Sequence, residues 1–220
     1  MKKVEILWLF KHFCKHGHRY VEHPECLKKE KPNTSPIKEK LGYLDIETTG
    51  LNANWDYIIS FSLLSDGGKL CGRELTRNEA LNYRILDREL MKEFSESIKN
   101  FDRIVVYWGK DRRHDLPFLR TRCLKWRVDF PLYRDIFVTD CYDIVKNKLR
   151  LHRNRLQNAC EFLNIPAKRH PLNPEMWQRA KLGDKKALRY IWLHNKEDAY
   201  SLRGVFRILE GFSSSRKASI

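Results

Sequence analysis

The sequence has no apolar run approaching the roughly 20 residues that span a bilayer, so no transmembrane helix is expected. A convincing export signal is missing too. Met1-Lys2-Lys3 and the apolar residues 4–10 imitate one, but Glu5 interrupts the run. Lys11, His12 and Cys14 then stand where a small-residue cleavage site belongs. Acidic residues are in short supply: 28 Asp and Glu against 43 Lys and Arg leave a net charge of +15. That surplus favours a polyanionic partner, with nucleic acid ahead of an acidic membrane surface. A chain that is basic for reasons unrelated to binding is the alternative. Apolar residues make up 42% of the chain and aromatics 12%, ordinary values that exclude global disorder. The protein is expected in the cytoplasm, where its six cysteines stay reduced. Cysteines that cluster there point to metal rather than to disulfides.

A length of 220 residues suits one main domain with a sizeable core and a small appendage. Residues 1–40 have the character of the appendage. They are rich in Lys and His and end in a polar, proline-marked linker, Lys28-Lys29-Glu30-Lys31-Pro32-Asn33-Thr34-Ser35-Pro36. Inside this arm Cys14 and Cys26 bracket His16, His18 and His23 within thirteen residues. Thiolates and imidazoles suit tetrahedral Zn²⁺. Cys14, His18, His23 and Cys26 would make a knuckle-sized site, with His16 competing for the place of His18. The spacing matches no standard finger, and a basic, His-rich tail with incidental thiols is the other reading.

The globular part begins at Leu41. Tyr43-Leu44-Asp45-Ile46-Glu47-Thr48-Thr49-Gly50 reads as a strand running into a turn. With a side-chain period of two, Asp45 and Glu47 share one face. Paired carboxylates repel one another and are costly to bury, a cost that a hard divalent cation removes. Two solvated acids on a surface strand are the plainer alternative. A second strand is expected over residues 56–64, a Gly67-Gly68 turn, and a hairpin partner over 69–75. Apolar residues at Leu86, Leu90, Met91, Phe94 and Ile98 predict an amphipathic helix over 86–101.

A short strand over 103–108 is followed by Gly109 and then by Asp115-Leu116-Pro117-Phe118-Leu119. Pro117 fits a first helical turn, which makes Asp115 either a cap or a ligand. Residues 135–139 form a further strand leading to Asp140 and a helix through Lys148. Residues 146–155, KNKLRLHRNR, hold five basic residues and His152, suited to a solvated face or to phosphate contact. A helix over 155–165 and a proline-marked loop precede a long helix over 185–209. There His194 and Asp198 stack on one face. A polar tail, 213–220, closes the chain. Strand–helix–strand order after an opening hairpin predicts an α/β fold with one mixed sheet of about five strands flanked by helices.

Taken in order, Asp45 with Glu47, then Asp115, then His194 with Asp198 resembles the motif set of the DEDD family, the ribonuclease H-like 3′–5′ exonucleases. The first motif, Asp-x-Glu-Thr-Thr-Gly, stands at residues 45–50, and the second, an Asp followed by Phe-Leu, at 115–119. The third combines the histidine of one branch with the three-residue spacing of the tyrosine branch, which leaves open whether His194 is the base. Asp111 is a fallback for Asp115. The likeness covers residues 41–212, and is nearest in character to stand-alone microbial and viral relatives with a Cys/His arm. It implies a ribonuclease H-like fold and two Mg²⁺ or Mn²⁺ ions held by Asp45, Glu47, Asp115 and Asp198, with His194 as base. The implied reaction is release of nucleoside 5′-monophosphates from the 3′ end of DNA or RNA. A structure-specific endonuclease and a non-catalytic binding module are the alternatives. Candidate substrate contacts are Thr48, Arg120, Arg122, Lys148, Arg150, Arg153 and Arg155. Trp108, Trp126 and Trp192 suit base stacking or core filling.

Overall fold

A computed structural model describes residues 3–30, 39–166, 169–213 and 218–219. The chain divides into two compact units, Met1–Lys40 and Leu41–Ile220. In the first, α1 (Lys3–Lys11) and α2 (Pro24–Glu30) flank a loop closed by a bridge between Phe13 and Arg19. Leu9, Cys14, Tyr20 and Cys26 are buried there, with Trp8 and Leu27 packed against them. Linker residues 31–36 lie outside the described residues.

The second unit is built on β1 (Leu41–Thr48), whose first four residues are buried. β2 (Ile58–Ser65) pairs with it antiparallel, and β3 (Leu70–Cys71) pairs with β2. The hairpin partner expected over 69–75 is interrupted at Gly72, whose φ of +126° belongs to glycine. A Cβ there would stand 2.1 Å from the Phe61 carbonyl oxygen. Pairing resumes beyond it, where Leu75 N–H donates to Ile59 O at 2.8 Å.

Two helices follow, α3 (Arg77–Leu81) and α4 (Arg88–Ile98). Leu86, with φ of +34°, stands outside α4, so the helix is shorter than its apolar pattern. β4 (Arg103–Val106), α5 (Asp115–Trp126), β5 (Phe137–Asp140) and α6 (Cys141–Lys148) come next. α7 (Leu156–Phe162), α8 (Pro174–Lys181) and the 25-residue α9 (Lys185–Leu209) complete the body. The sheet order is β3-β2-β1-β4-β5, with β4 parallel to both β1 and β5. This is the mixed sheet flanked by helices that the sequence predicts, with five main strands. The tail adds a two-residue β6 (Ala218–Ser219) on the β5 edge.

The period of two in β1 sorts its side chains between two layers. Leu44 and Ile46 join Leu90, Phe94 and Leu119 of α4 and α5 in the larger core. Tyr43 faces the other way, against Ala199, Leu202 and Phe206 of α9. Asp45 and Glu47 continue the Tyr43 face and so point toward α9. Among the described residues no helix is long and apolar enough to cross a membrane.

Candidate active site

The acids of β1 meet α9 where its apolar stripe gives way to polar residues. Asn195 and Asp198 are buried among Ile191, Ala199 and Leu202. Asn195 donates from Nδ2 to Asp45 Oδ2 at 2.6 Å, so one carboxylate of the strand is held by the helix. His194 Nε2 lies 3.6 Å from Glu47 Oε1 and 3.3 Å from Asp198 Oδ2. Ligand atoms of Glu47, His194 and Asp198 all lie within 4.8 Å of one another, close enough to share one cation. Opposite Asp45 and Glu47 on β2 stand Ser62 and Ser60, both buried and small.

Asp115 opens α5 and is buried. Burial pushes its carboxyl above the ordinary carboxylate range, nearby Asp140 and Asp198 push the same way, and His114 opposes them. His114 Nδ1 is 3.2 Å from Asp115 Oδ1, whereas Oδ2 has no hydrogen-bond partner among the described residues. An orphaned, buried carboxylate oxygen is expensive unless protonated or met by a cation. The acids therefore fit a divalent ion, and hard oxygen donors of this kind suit Mg²⁺ or Mn²⁺. Asp111, the fallback for this motif, is exposed and paired with Arg120 at 2.9 Å, whereas Asp115 is buried beside the cleft.

Asp140, at the end of β5, is the organising residue that sequence reasoning missed. Its carboxylate accepts the backbone N–H groups of Trp108 (2.8 Å), Gly109 (3.1 Å) and Lys110 (3.2 Å), and it caps α6 at Tyr142 N–H. Lys110 and Arg113 also pair with Asp143. This grip holds Trp108 at φ +61° and brings Gly109 against the catalytic candidates. A Cβ on Gly109 would lie 2.3 Å from Asp115 Oδ2. An Asp that begins a helix after a strand is readable as a cap, but its reach to another loop depends on the fold.

An open cleft of about 430 Å³ runs along these groups, lined by Glu47, Thr48, Trp108, His114, Asp115 and Trp177 among others. Thr48 donates its hydroxyl to Gly50 O at 2.7 Å and faces His114 Nε2 at 3.4 Å. Lys148, Arg150, Arg153 and Arg155 are exposed. Tyr107, one residue before Trp108, donates its hydroxyl to Asn154 O at 2.8 Å, which ties this basic loop to the site's edge.

Arg122 does not join them. It is fully buried, with Nη2 and Nε at 2.6 and 2.8 Å from the Asp87 carboxylate, and its Nη1 reaches Ala53 O. Trp126 donates Nε1 to the same carboxylate at 2.7 Å. Both are framework residues, because a buried arginine without its carboxylate would be unpaired. Trp192 lies under the Arg189 guanidinium, 4.2 Å from its ring centroid, while Trp108 is 48% exposed in the cleft.

In the N-terminal unit the second cluster comprises Cys14, His16, His23 and Cys26. His16, not His18, completes it. The turn at Gly17 spends the carbonyl of His18 on Cys14 N–H at 2.8 Å, and the His18 ring packs edge-on against His23.

The RNase_H_2 family model, described as RNase_H superfamily, matches residues 42–210. No curated protein matches the chain. Among solved structures, the family B DNA polymerase from the hyperthermophilic archaeon Pyrobaculum calidifontis is similar, with a TM-score of 0.64 and 18% identity. That likeness covers 80% of this chain and 25% of the polymerase chain.

Proposed function

The chain belongs to the RNase H superfamily, and from that premise we propose that it is a metal-dependent 3′–5′ exonuclease acting on DNA or RNA. The observation that carries the reading is the buried Asp115 oxygen without a partner, set in one cleft with Glu47 and close in charge to Asp198. A fold shared with a DNA polymerase and a charge of +15 agree with a nucleic-acid substrate.

Asp45, Glu47, Asp115 and Asp198 would hold two Mg²⁺ or Mn²⁺ ions, which when bound neutralise charge at the phosphodiester and make water more acidic. The remaining roles fall to the chain's own groups. Asn195 fixes the Asp45 carboxylate by its 2.6 Å hydrogen bond. His194 presents Nε2 beside Glu47 and Asp198 and takes the proton of the attacking water, the task of a positioned base. Glu47, 3.6 Å from that nitrogen, orients the same water. Trp108 offers an exposed ring to a base at the cleft edge, and Arg120, Lys148, Arg150, Arg153 and Arg155 are the candidate contacts to the sugar-phosphate backbone. Released products are nucleoside 5′-monophosphates.

The test incubates 5′-labelled single-stranded DNA and RNA with the protein in Mg²⁺, Mn²⁺ or EDTA. A ladder of products shortened from the 3′ end, absent in EDTA, is expected. Internal cuts in a hairpin or flap would replace this reading with an endonuclease. Retention of intact substrate without cleavage would make the protein a binding module.

A further inference from the structure

We propose that Cys14, His16, His23 and Cys26 bind one structural Zn²⁺ ion, through both thiolates and through Nδ1 of both histidines, and that this ion is what folds the N-terminal unit. The four ligand atoms lie within 4.8 Å of one another. His16 Nδ1 is 3.2 Å from Cys26 Sγ, His23 Nδ1 is 3.0 Å from the same sulfur, and Cys14 Sγ is 3.9 Å from His16 Nδ1. A tetrahedral ion with Zn–S and Zn–N bonds of about 2.3 and 2.0 Å has edges of roughly 3.3–3.8 Å. The side chains already stand near those edges, so an ion enters with small adjustments.

The donor set selects the metal and the role. Two thiolates and two imidazoles favour Zn²⁺ over the hard cations that carboxylates prefer. Four protein ligands close the coordination shell and leave no position for water or substrate, which is the mark of a structural site. Local geometry brings the ligands together from both ends of the loop. Gly17, at φ +81°, donates its N–H to Cys14 O at 2.9 Å and so folds His16 back beside Cys14. Cys26 N–H reaches His23 O at 3.1 Å as α2 begins, which gathers the other pair.

The size of the unit gives the ion its consequence. Among the described residues its buried core is Leu9, Tyr20, Cys14 and Cys26, with Trp8 and Leu27 against them, so the two thiols are half of those buried apolar groups. A unit of about 40 residues seldom folds on a core this small without a metal or a disulfide. Among the described residues neither cysteine is joined in a disulfide. Metal binding energy then becomes folding energy for this unit.

The full-length protein, purified under reducing conditions without chelator, is expected to carry about one equivalent of zinc by mass spectrometry of the metal. Cys14→Ser, His16→Ala, His23→Ala and Cys26→Ser should each lose it, while His18→Ala keeps it. Cobalt substitution of the parent should give the visible bands of a tetrahedral thiolate site. Parent protein that holds no zinc and takes up no cobalt overturns the site. Zinc kept by His16→Ala and lost by His18→Ala overturns the ligand assignment. Because ligand variants can fail to accumulate, the folding role is read on the parent itself. Stripping zinc should make residues 1–40 sensitive to protease while 41–212 stay resistant, and unchanged resistance of the arm after zinc loss overturns that role. Asp45→Asn should keep its zinc, so failure of the exonuclease reading leaves this result standing.

Discussion

His194 donates its Nδ1 hydrogen to the carbonyl oxygen of His170, 2.6 Å away. A carbonyl can only accept, so in its neutral form the imidazole carries its hydrogen on Nδ1 and turns Nε2, as the acceptor nitrogen, toward Glu47 and Asp198. The carbonyl is itself held. Glu197 accepts from Arg169 N–H (2.9 Å), His170 N–H (3.2 Å) and His170 Nδ1 (2.7 Å), so α9 carries both His194 and the clamp for the loop that orients it.

Replacing His194 by Ala is therefore expected to lower kcat by roughly 10²–10⁴-fold. Replacing Glu197 by Ala, which frees the His170 loop without touching the cleft, should cost about 10–100-fold, as outer partners of metal sites do. The informative measurement is the double variant. If Glu197 acts through His194, the pair should be no slower than His194→Ala alone. Fully additive losses would give Glu197 a separate duty.

Gly109 supplies a sharper test of geometry. Its φ is not left-handed, so alanine strains no backbone there, yet the new Cβ would stand 2.3 Å from Asp115 Oδ2. The carboxylate has to swing away, and Val106, whose Cβ lies 2.8 Å from the same point, has to give as well. A displacement of this order should cost roughly 10²-fold in activity, with far-UV circular dichroism unchanged. Activity equal to the parent would remove Asp115 from the reacting centre.

Much of this was legible in the residues, for identifiable reasons. α9 is long, periodic and closed at its start by Asp184, so its bounds match the pattern at 185–209. Asp45 and Glu47 declare their shared face through strand periodicity. Less legible were features that rest on contacts far apart in sequence. Nothing local says that Arg122 pairs with Asp87, 35 residues away, or that Asp140 grips a loop 30 residues before it. Asn195 likewise meets Asp45 across 150 residues. The short α3 is a different case: Thr76 and Glu79 form a capping box, a local signal that was there to use.

The buried pair separates framework arginines from binding ones. Arg122→Ala leaves Asp87 buried without its cation, which should destabilise the fold by about 3–5 kcal/mol in urea denaturation. Arg153→Ala and Arg155→Ala, on the exposed loop, should leave stability near the parent's. Each should instead weaken nucleic-acid binding and reduce its salt slope by about one where a phosphate is contacted. A stable Arg122→Ala protein with a reduced salt slope would return that residue to the binding surface.

Asp115 makes the stability of the metal-free protein depend on pH in a definite direction. Burial, then the neighbouring Asp140 and Asp198, raises its carboxyl above the ordinary value of 3.8, while His114 pulls the other way. Below that ordinary value both folded and unfolded chains are protonated there, and the residue costs nothing. As pH rises from that value toward the raised one, the unfolded chain releases its proton while the folded chain retains it, so folding is penalised. Above the raised value the folded chain carries a buried charge and the penalty stays. In EDTA, Asp115→Asn should therefore melt above the parent at neutral pH, and the gap should close on acidification. Adding Mg²⁺ or Mn²⁺ should raise the melting temperature of the parent by more than that of the variant, which keeps Glu47, His194 and Asp198 but lacks the Asp115 oxygen, because a cation bound to the folded state stabilises it by mass action. A gap that is the same at every pH would mean that the Asp115 carboxyl ionises as it does in water, and the case for a cation at its bare oxygen would fall with it.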